Sequence, residues 1–192
     1  WVCDLGSSLL GYAQFPGGPA ATDGIVCNYT ATGNTGTAQA PFDLGRTATH
    51  EVGHYLGLEH TFAGGCSSAS GCATNGDLIC DTNPQQSPTS GCSSSSSCGQ
   101  SHNNQDNYMD YSVDLCFNNF TQQQQLRMRC ILEHYRVELP CDDCGGTAPP
   151  SNDDCSNAQV VTAGDTSFDN FDATGSGFND PLVCSSSGGP EV

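Results

Sequence analysis

The segment His50-Glu51-Val52-Gly53-His54-Tyr55-Leu56-Gly57-Leu58-Glu59-His60 holds three of the chain's five histidines. On a helix, His50 and His54 stand one turn apart on one face. Two imidazoles at that spacing can grip one Zn²⁺ at about 2.0–2.1 Å each. The helix alone cannot deliver a third ligand. Gly57 permits a positive φ, so the chain can turn sharply and bring His60 back toward the metal. Three histidines leave one zinc position open for water, as a catalytic site requires. A structural zinc site would more often use cysteine and close that position. Glu51, next to His50, can reach the water, take its proton as general base and pass it to the amine leaving a cleaved peptide bond. A bare HExxH recurs by chance in helices, but HExxHxxGxxH fixes five positions with a geometric reason for each. The chemistry implied is zinc-dependent peptide hydrolysis.

These residues need a frame. Leu44, Ala48, Val52, Tyr55 and Leu56 recur at spacings of three and four, which predicts a helix from about Asp43 that ends at Gly57. Upstream, three β-prone runs are expected as strands: Trp1-Val2-Cys3, Leu9 to Phe15 (closed by Pro16-Gly17-Gly18-Pro19), and Gly24 to Tyr29. Cys3 and Cys27 could bridge two of them. Residues 61–105 carry five cysteines and no convincing periodicity. A loop of that length is functional or stapled, and disulfides are the natural staple. The Ser93–Ser97 run reads as an exposed tip. A second helix is expected near Thr121, where Thr121 and Gln124 fit a capping box. Leu126, Cys130, Ile131 and Tyr135 are expected to face the core, and Pro140 closes the helix. Residues 141–154 read as a linker. Residues 155–192, with Cys155 and Cys184 as disulfide candidates, read as the beginning of a truncated C-terminal β domain.

Bulk composition narrows the setting. Of 192 residues, 35% are hydrophobic and 13% charged, with 21 acidic residues against 4 basic ones and a formal charge of -17. There is no lysine. Such a surface serves solubility and repels nucleic acid and anionic membrane. No stretch approaches the roughly 20 apolar residues of a membrane span, so membrane insertion is not expected. The 13 cysteines, mostly among Gly and Ser, imply disulfides in an oxidising, extracellular setting. Only Cys141-Asp142-Asp143-Cys144 has CxxC spacing, so a cysteine zinc cluster is not indicated. The odd count leaves one thiol over, or a partner elsewhere. No signal peptide is present, and any signal or pro-segment is expected to have been removed or to lie outside this stretch.

The motif is that of the metzincins, and its surroundings narrow it. Asn107-Tyr108-Met109-Asp110-Tyr111 resembles the metzincin Met-turn. Several separated segments resemble, in order, the pappalysin family and particularly its bacterial ulilysin-like branch. They are Gly45 to Thr49, Thr61-Phe62, Gly76 to Thr82, Asp110 to Cys116, Phe120-Thr121 and Arg127-Met128. The resemblance covers about residues 1–139. It implies an α+β, metzincin-like catalytic domain over residues 1–140, with its N-terminal part missing from this stretch. A twisted mixed sheet would lie over the zinc-motif helix, with the Met-turn and a C-terminal helix below. By the same resemblance, Leu10–Phe15 would be an edge strand pairing with extended polypeptide substrates. Met109 would pack beneath the zinc ligands, and Tyr111 would approach the zinc and stabilise an oxyanion. Asp114 would lie in the S1′ pocket and favour Arg or Lys after the cleaved bond. Asp77, Asp81 and Thr82 would offer oxygen ligands to a structural calcium. Disulfides would join Cys92 to Cys116, and Cys98 to an upstream cysteine such as Cys66. Cys72 and Cys80 are left unplaced, and His102 and His134 read as surface histidines.

The leading expectation is a secreted zinc metalloendopeptidase. Two rivals stand beside it: a metzincin of another specificity, and a non-catalytic extracellular binding or adhesion protein with a vestigial zinc site. The intact Glu51 argues against the second.

Overall fold

The β-prone runs of the first thirty residues make one small mixed sheet. It is formed by β1 (Val2–Cys3), β2 (Gly11–Ala13) and β3 (Ile25–Asn28), in the order β1-β3-β2. β1 runs parallel to β3 and β2 antiparallel to it, which leaves β2 at an edge. The computed structural model describes residues 1–6, 8–137 and 139. The linker at 141–154 and the β domain expected at 155–192, with Cys155 and Cys184, lie outside the described residues.

Register decides the fate of two cysteines. Val2 stands opposite Cys27, and Cys3 opposite Asn28. Successive side chains on a strand point to opposite faces, so Cys3 projects from the face that Cys27 does not use. Cys27 is buried, Cys3 is exposed and both are free. The bridge expected between these strands does not form.

Helix α1 (Arg46–Tyr55) packs against β2 and β3. It starts slightly later than the periodicity predicts, because Gly45 at its head is left-handed (φ 77°) and offers no side-chain cap. The cap comes from far along the chain. Asp114 Oδ2 accepts from Leu44 N at 2.8 Å and Arg46 N at 3.2 Å. A carboxylate there satisfies otherwise orphaned donors and complements the positive end of the helix. At the other end, Gly57 adopts φ 81°. Leu58 N donates to Gly53 O and Gly57 N to His54 O, both at 2.9 Å, closing the helix as a Schellman motif.

The long connection that follows is stapled by Cys66–Cys98 and Cys72–Cys80, and Cys92–Cys116 ties it to the segment beyond. Helix α2 (Gln122–His134) begins with the capping box: Gln124 N donates to Thr121 Oγ1, and Thr121 N to Gln124 Oε1. Its buried face is Gln124, Arg127 and Ile131, while Leu126 and Tyr135, expected inside, are exposed. The reason is polar. Gln124 exchanges two hydrogen bonds with Asn107, and Arg127 Nη2 donates to Leu78 O at 2.8 Å. The helix is therefore oriented by buried hydrogen bonds as well as by apolar area. The apolar centre is Leu58, Ile79 and Met109, with Phe120 and Met128 against it. Among the described residues no helix is long and apolar enough to cross a membrane.

Candidate active site

α1 delivers His50 and His54 from one face, and the Gly57 turn returns His60 to them. The three Nε2 atoms lie 3.0 to 3.2 Å apart. The far ring nitrogens of two of them are fixed by backbone carbonyls. His50 Nδ1 donates to Tyr108 O at 2.6 Å, and His54 Nδ1 to Leu58 O at 2.7 Å. With the proton on Nδ1, each of these neutral rings carries its lone pair on Nε2, toward the common centre.

Burial, the largest influence on each ring, keeps them neutral. It lowers His50 to about 4, against the Tyr108 carbonyl, which raises it. His54 falls to about 3 and His60 to about 2 through burial and then through neighbouring imidazoles. His50 leaves part of its surface to solvent, but its ring is enclosed. Converging lone pairs of neutral imidazoles repel one another unless a cation sits among them, and they are the donors zinc prefers. They form the one such cluster of ligating side chains among the described residues. Residues and metal fit.

Met109 is fully buried against α1. Its sulfur fills the space beside Gly53, where an added Cβ would lie 2.3 Å from Sδ. Tyr111 is half exposed, with its ring 4.6 Å from that of His60 and 5.9 Å from that of His50. Phe62, which the motif did not single out, stacks on His60 at 4.7 Å with the rings 8° from parallel. A cleft beside the imidazoles is lined by Leu10, Gly11, His50, Glu51, Tyr111 and Asp114, among others. Glu51 is buried in it, 5% exposed. Asp114 is buried as well, with Oδ2 committed to the head of α1 and Oδ1 without a hydrogen-bond partner.

The oxygen donors expected to share a cation are brought together only in part. Thr82 Oγ1 donates to Asp77 Oδ2 at 2.7 Å, and both residues are buried. Asp81 turns instead to α2 and accepts from Gln123 N at 2.9 Å. His102 and His134 are exposed, as expected of surface histidines.

Two supports were not legible in the sequence. Asp110, 1% exposed, accepts from Gln85 Nε2, Thr89 N and Tyr111 N at 2.8 to 3.0 Å, pinning residues 85–89 to the Met-turn. Arg136, beyond α2, reaches back across the molecule. Its Nε donates to Tyr55 O at 2.9 Å, Nη1 to Asp23 Oδ1 at 2.6 Å and Nη2 to Gln14 O at 3.0 Å.

A mixed sheet with a free edge over a helix of converging imidazoles, above a buried methionine turn, is the arrangement of a metzincin catalytic domain. The family model described as Peptidase M43, Pregnancy-associated plasma protein-A, matches residues 10–133, and the chain belongs to that pappalysin family. Extracellular metalloprotease 1 of Coccidioides posadasii is 47% identical over 140 residues, covering 70% of this chain and 48% of its own. An extracellular metalloprotease of Colletotrichum graminicola is 41% identical over 141 residues, covering 70% of this chain and 48% of its own. Mature mirolysin of Tannerella forsythia, solved in complex with a cleaved peptide, superposes with a TM-score of 0.61 at 44% identity. It covers 69% of this chain and 50% of the mirolysin chain. The chain thus spans about half the length of the relatives it matches.

Proposed function

We propose that this chain is the catalytic part of a secreted zinc metalloendopeptidase. The observation that carries the reading is the cluster of three neutral imidazoles, their Nε2 atoms 3.0 to 3.2 Å apart, in a cleft shared with a buried glutamate. His50, His54 and His60 would hold the zinc, which when bound supplies a Lewis acid for a peptide carbonyl and for water. Tyr108 O and Leu58 O keep two of the rings in the ligating tautomer. Glu51 takes a proton from the attacking water and gives it to the departing amine. Tyr111, half exposed beside His60, offers its hydroxyl to the developing oxyanion. The free edge of β2 pairs with an extended peptide, so the backbone supplies affinity without demanding sequence.

Selectivity follows from Asp114. Its unpartnered Oδ1 in the cleft wall suits a guanidinium or ammonium, hence Arg or Lys after the cleaved bond. Calcium in the loop after the motif is supported at Asp77 and Thr82 alone, since the Asp81 carboxylate caps α2. Secretion is supported by the three disulfides among the described residues and by relatives named extracellular metalloproteases. The test is zinc content together with casein cleavage, for the full chain and its Glu51→Ala variant. Equal cleavage by the two, or no zinc in the wild type, overturns the reading.

A further inference from the structure

Gly11 opens strand β2, where glycine weakens pairing and forgoes packing. Its backbone does not call for it, because Gly11 is not among the glycines with positive φ. What excludes a side chain is Glu51. A Cβ at position 11 would stand 2.7 Å from Glu51 Oε1, 2.8 Å from Cγ and 3.0 Å from Cδ. Cys27 is the cross-strand partner of Gly11, shares its face of the sheet and is buried there. Burial and then the Glu51 charge push the Cys27 thiol up to about 11.

We infer that Gly11 is a positioning residue for Glu51: the bare β2 backbone, walled by Cys27, is the socket that fixes the carboxylate beside His50. This rests on the proposed role of Glu51 as general base. It also couples two parts of the site, since the strand offered to substrate is the strand that seats the base. A methyl at position 11 needs about 3.5–4.0 Å from neighbouring carbons, so the Glu51 stem must move by roughly 1 Å. Misplacement on that scale costs about 100-fold in rate. The flexible glutamate yields more readily than the sheet, so the larger loss falls on chemistry and a smaller one on stability.

The experiment is a cycle of Gly11→Ala and Glu51→Ala in the zinc-loaded full chain, read by melting temperature, zinc content and peptide kinetics. The inference expects Gly11→Ala to lower kcat by about 10- to 100-fold with KM within about threefold and zinc content unchanged. It expects Gly11→Ala to lower the melting temperature when Glu51 is present and to leave it level or raised in the Glu51→Ala background. If Gly11→Ala alone fails to fold, recovery of folding in the double variant supports the socket. Unchanged kcat, a loss confined to KM, equal melting shifts in both backgrounds, or failure of both variants to fold overturns it. A zinc-loaded wild type without peptidase activity would instead sink the parent reading, and the melting cycle would still decide whether Gly11 seats Glu51.

Discussion

Replacing Arg136 with alanine should loosen the whole domain from behind the cleft. Arg136 is 4% exposed and spends all three guanidinium nitrogens on different parts of the fold: the end of α1, the loop at Asp23 and, through Gln14 O, the residue just after β2. Its Cζ also lies 3.3 Å from the Tyr55 ring centroid. Breaking a buried ion pair from one side costs about 3–5 kcal/mol. The Asp23 side chain keeps 28% exposure, so water can enter, and we expect about 2–4 kcal/mol here. Lysine should recover only part of it, since one ammonium cannot serve three diverging acceptors. The pH dependence follows from Asp23. Burial raises its pKa, but hydrogen bonds from Arg136 and Tyr55 outweigh that and hold it below the ordinary carboxylate value. A lowered folded-state pKa contributes stability above the unfolded value of about 3.9, lost as pH falls through the folded pKa. The gap between wild type and Arg136→Ala should therefore be level from pH 8 to about 5 and narrow below about 4. Urea unfolding followed by circular dichroism across that range is the assay. A loss under about 1 kcal/mol at pH 7, or a gap that widens in acid, refutes the argument.

Asp114→Asn keeps an oxygen to cap α1 but removes the charge that complements the helix end, so stability should fall by no more than about 1 kcal/mol. Preference for Arg over Leu after the scissile bond should fall by about 10- to 100-fold, read by cleavage of a peptide library. Burial pushes the Asp77 carboxyl up to about 6, with hydrogen bonds from Thr82 and Ile79 opposing it. The folded state then binds that proton more tightly than the unfolded one, so stability should fall by about 2 kcal/mol as pH rises from about 4 to 6. Asp77→Asn should flatten that slope in a calcium-free urea titration, and added calcium should raise the melting temperature of wild type only. Chelation should lower the melting temperature and excess zinc restore it, whereas His60→Ala should lose that response in differential scanning fluorimetry.

What could be read from residues alone was whatever local geometry dictates. The spacing of His50 and His54 and the need for positive φ at Gly57 are properties of one helix and its end, and both stand in the structure. The capping box at Thr121 and Gln124 was equally local. What failed depended on pairing across the chain. The Cys3–Cys27 bridge was excluded by a register no composition reveals. The buried face of α2 followed Gln124 and Arg127 because Asn107 and Leu78 O, distant in sequence, accept and return their hydrogen bonds. Asp110 and Arg136 gave no periodic or spacing cue, since most of their partners lie in loops or at element ends far along the chain. Gly11 did leave a cue, a glycine inside a β-prone run, which signals close approach by another group.

The turn around Met109 organises the site more through its backbone than through its sulfur. Tyr108 O fixes the His50 ring, and Met109 O accepts from Thr61 N at 3.1 Å, next to His60. One short segment thus holds the proposed ligands from the helix and from the return after Gly57. Its own shape is set from below, where Asn107 Oδ1 accepts from Met109 N at 2.9 Å and Gln124 buttresses Asn107. It is set from the side by Asp110. The sulfur fills the notch at Gly53, which any larger residue would close. A methionine there is therefore needed for shape, while the carbonyl on its N-terminal side and its own carbonyl tie the two ligand-bearing segments into one rigid unit. An apolar side chain of similar volume such as leucine should on this account disturb zinc binding less than any change that frees the backbone of residues 107–110.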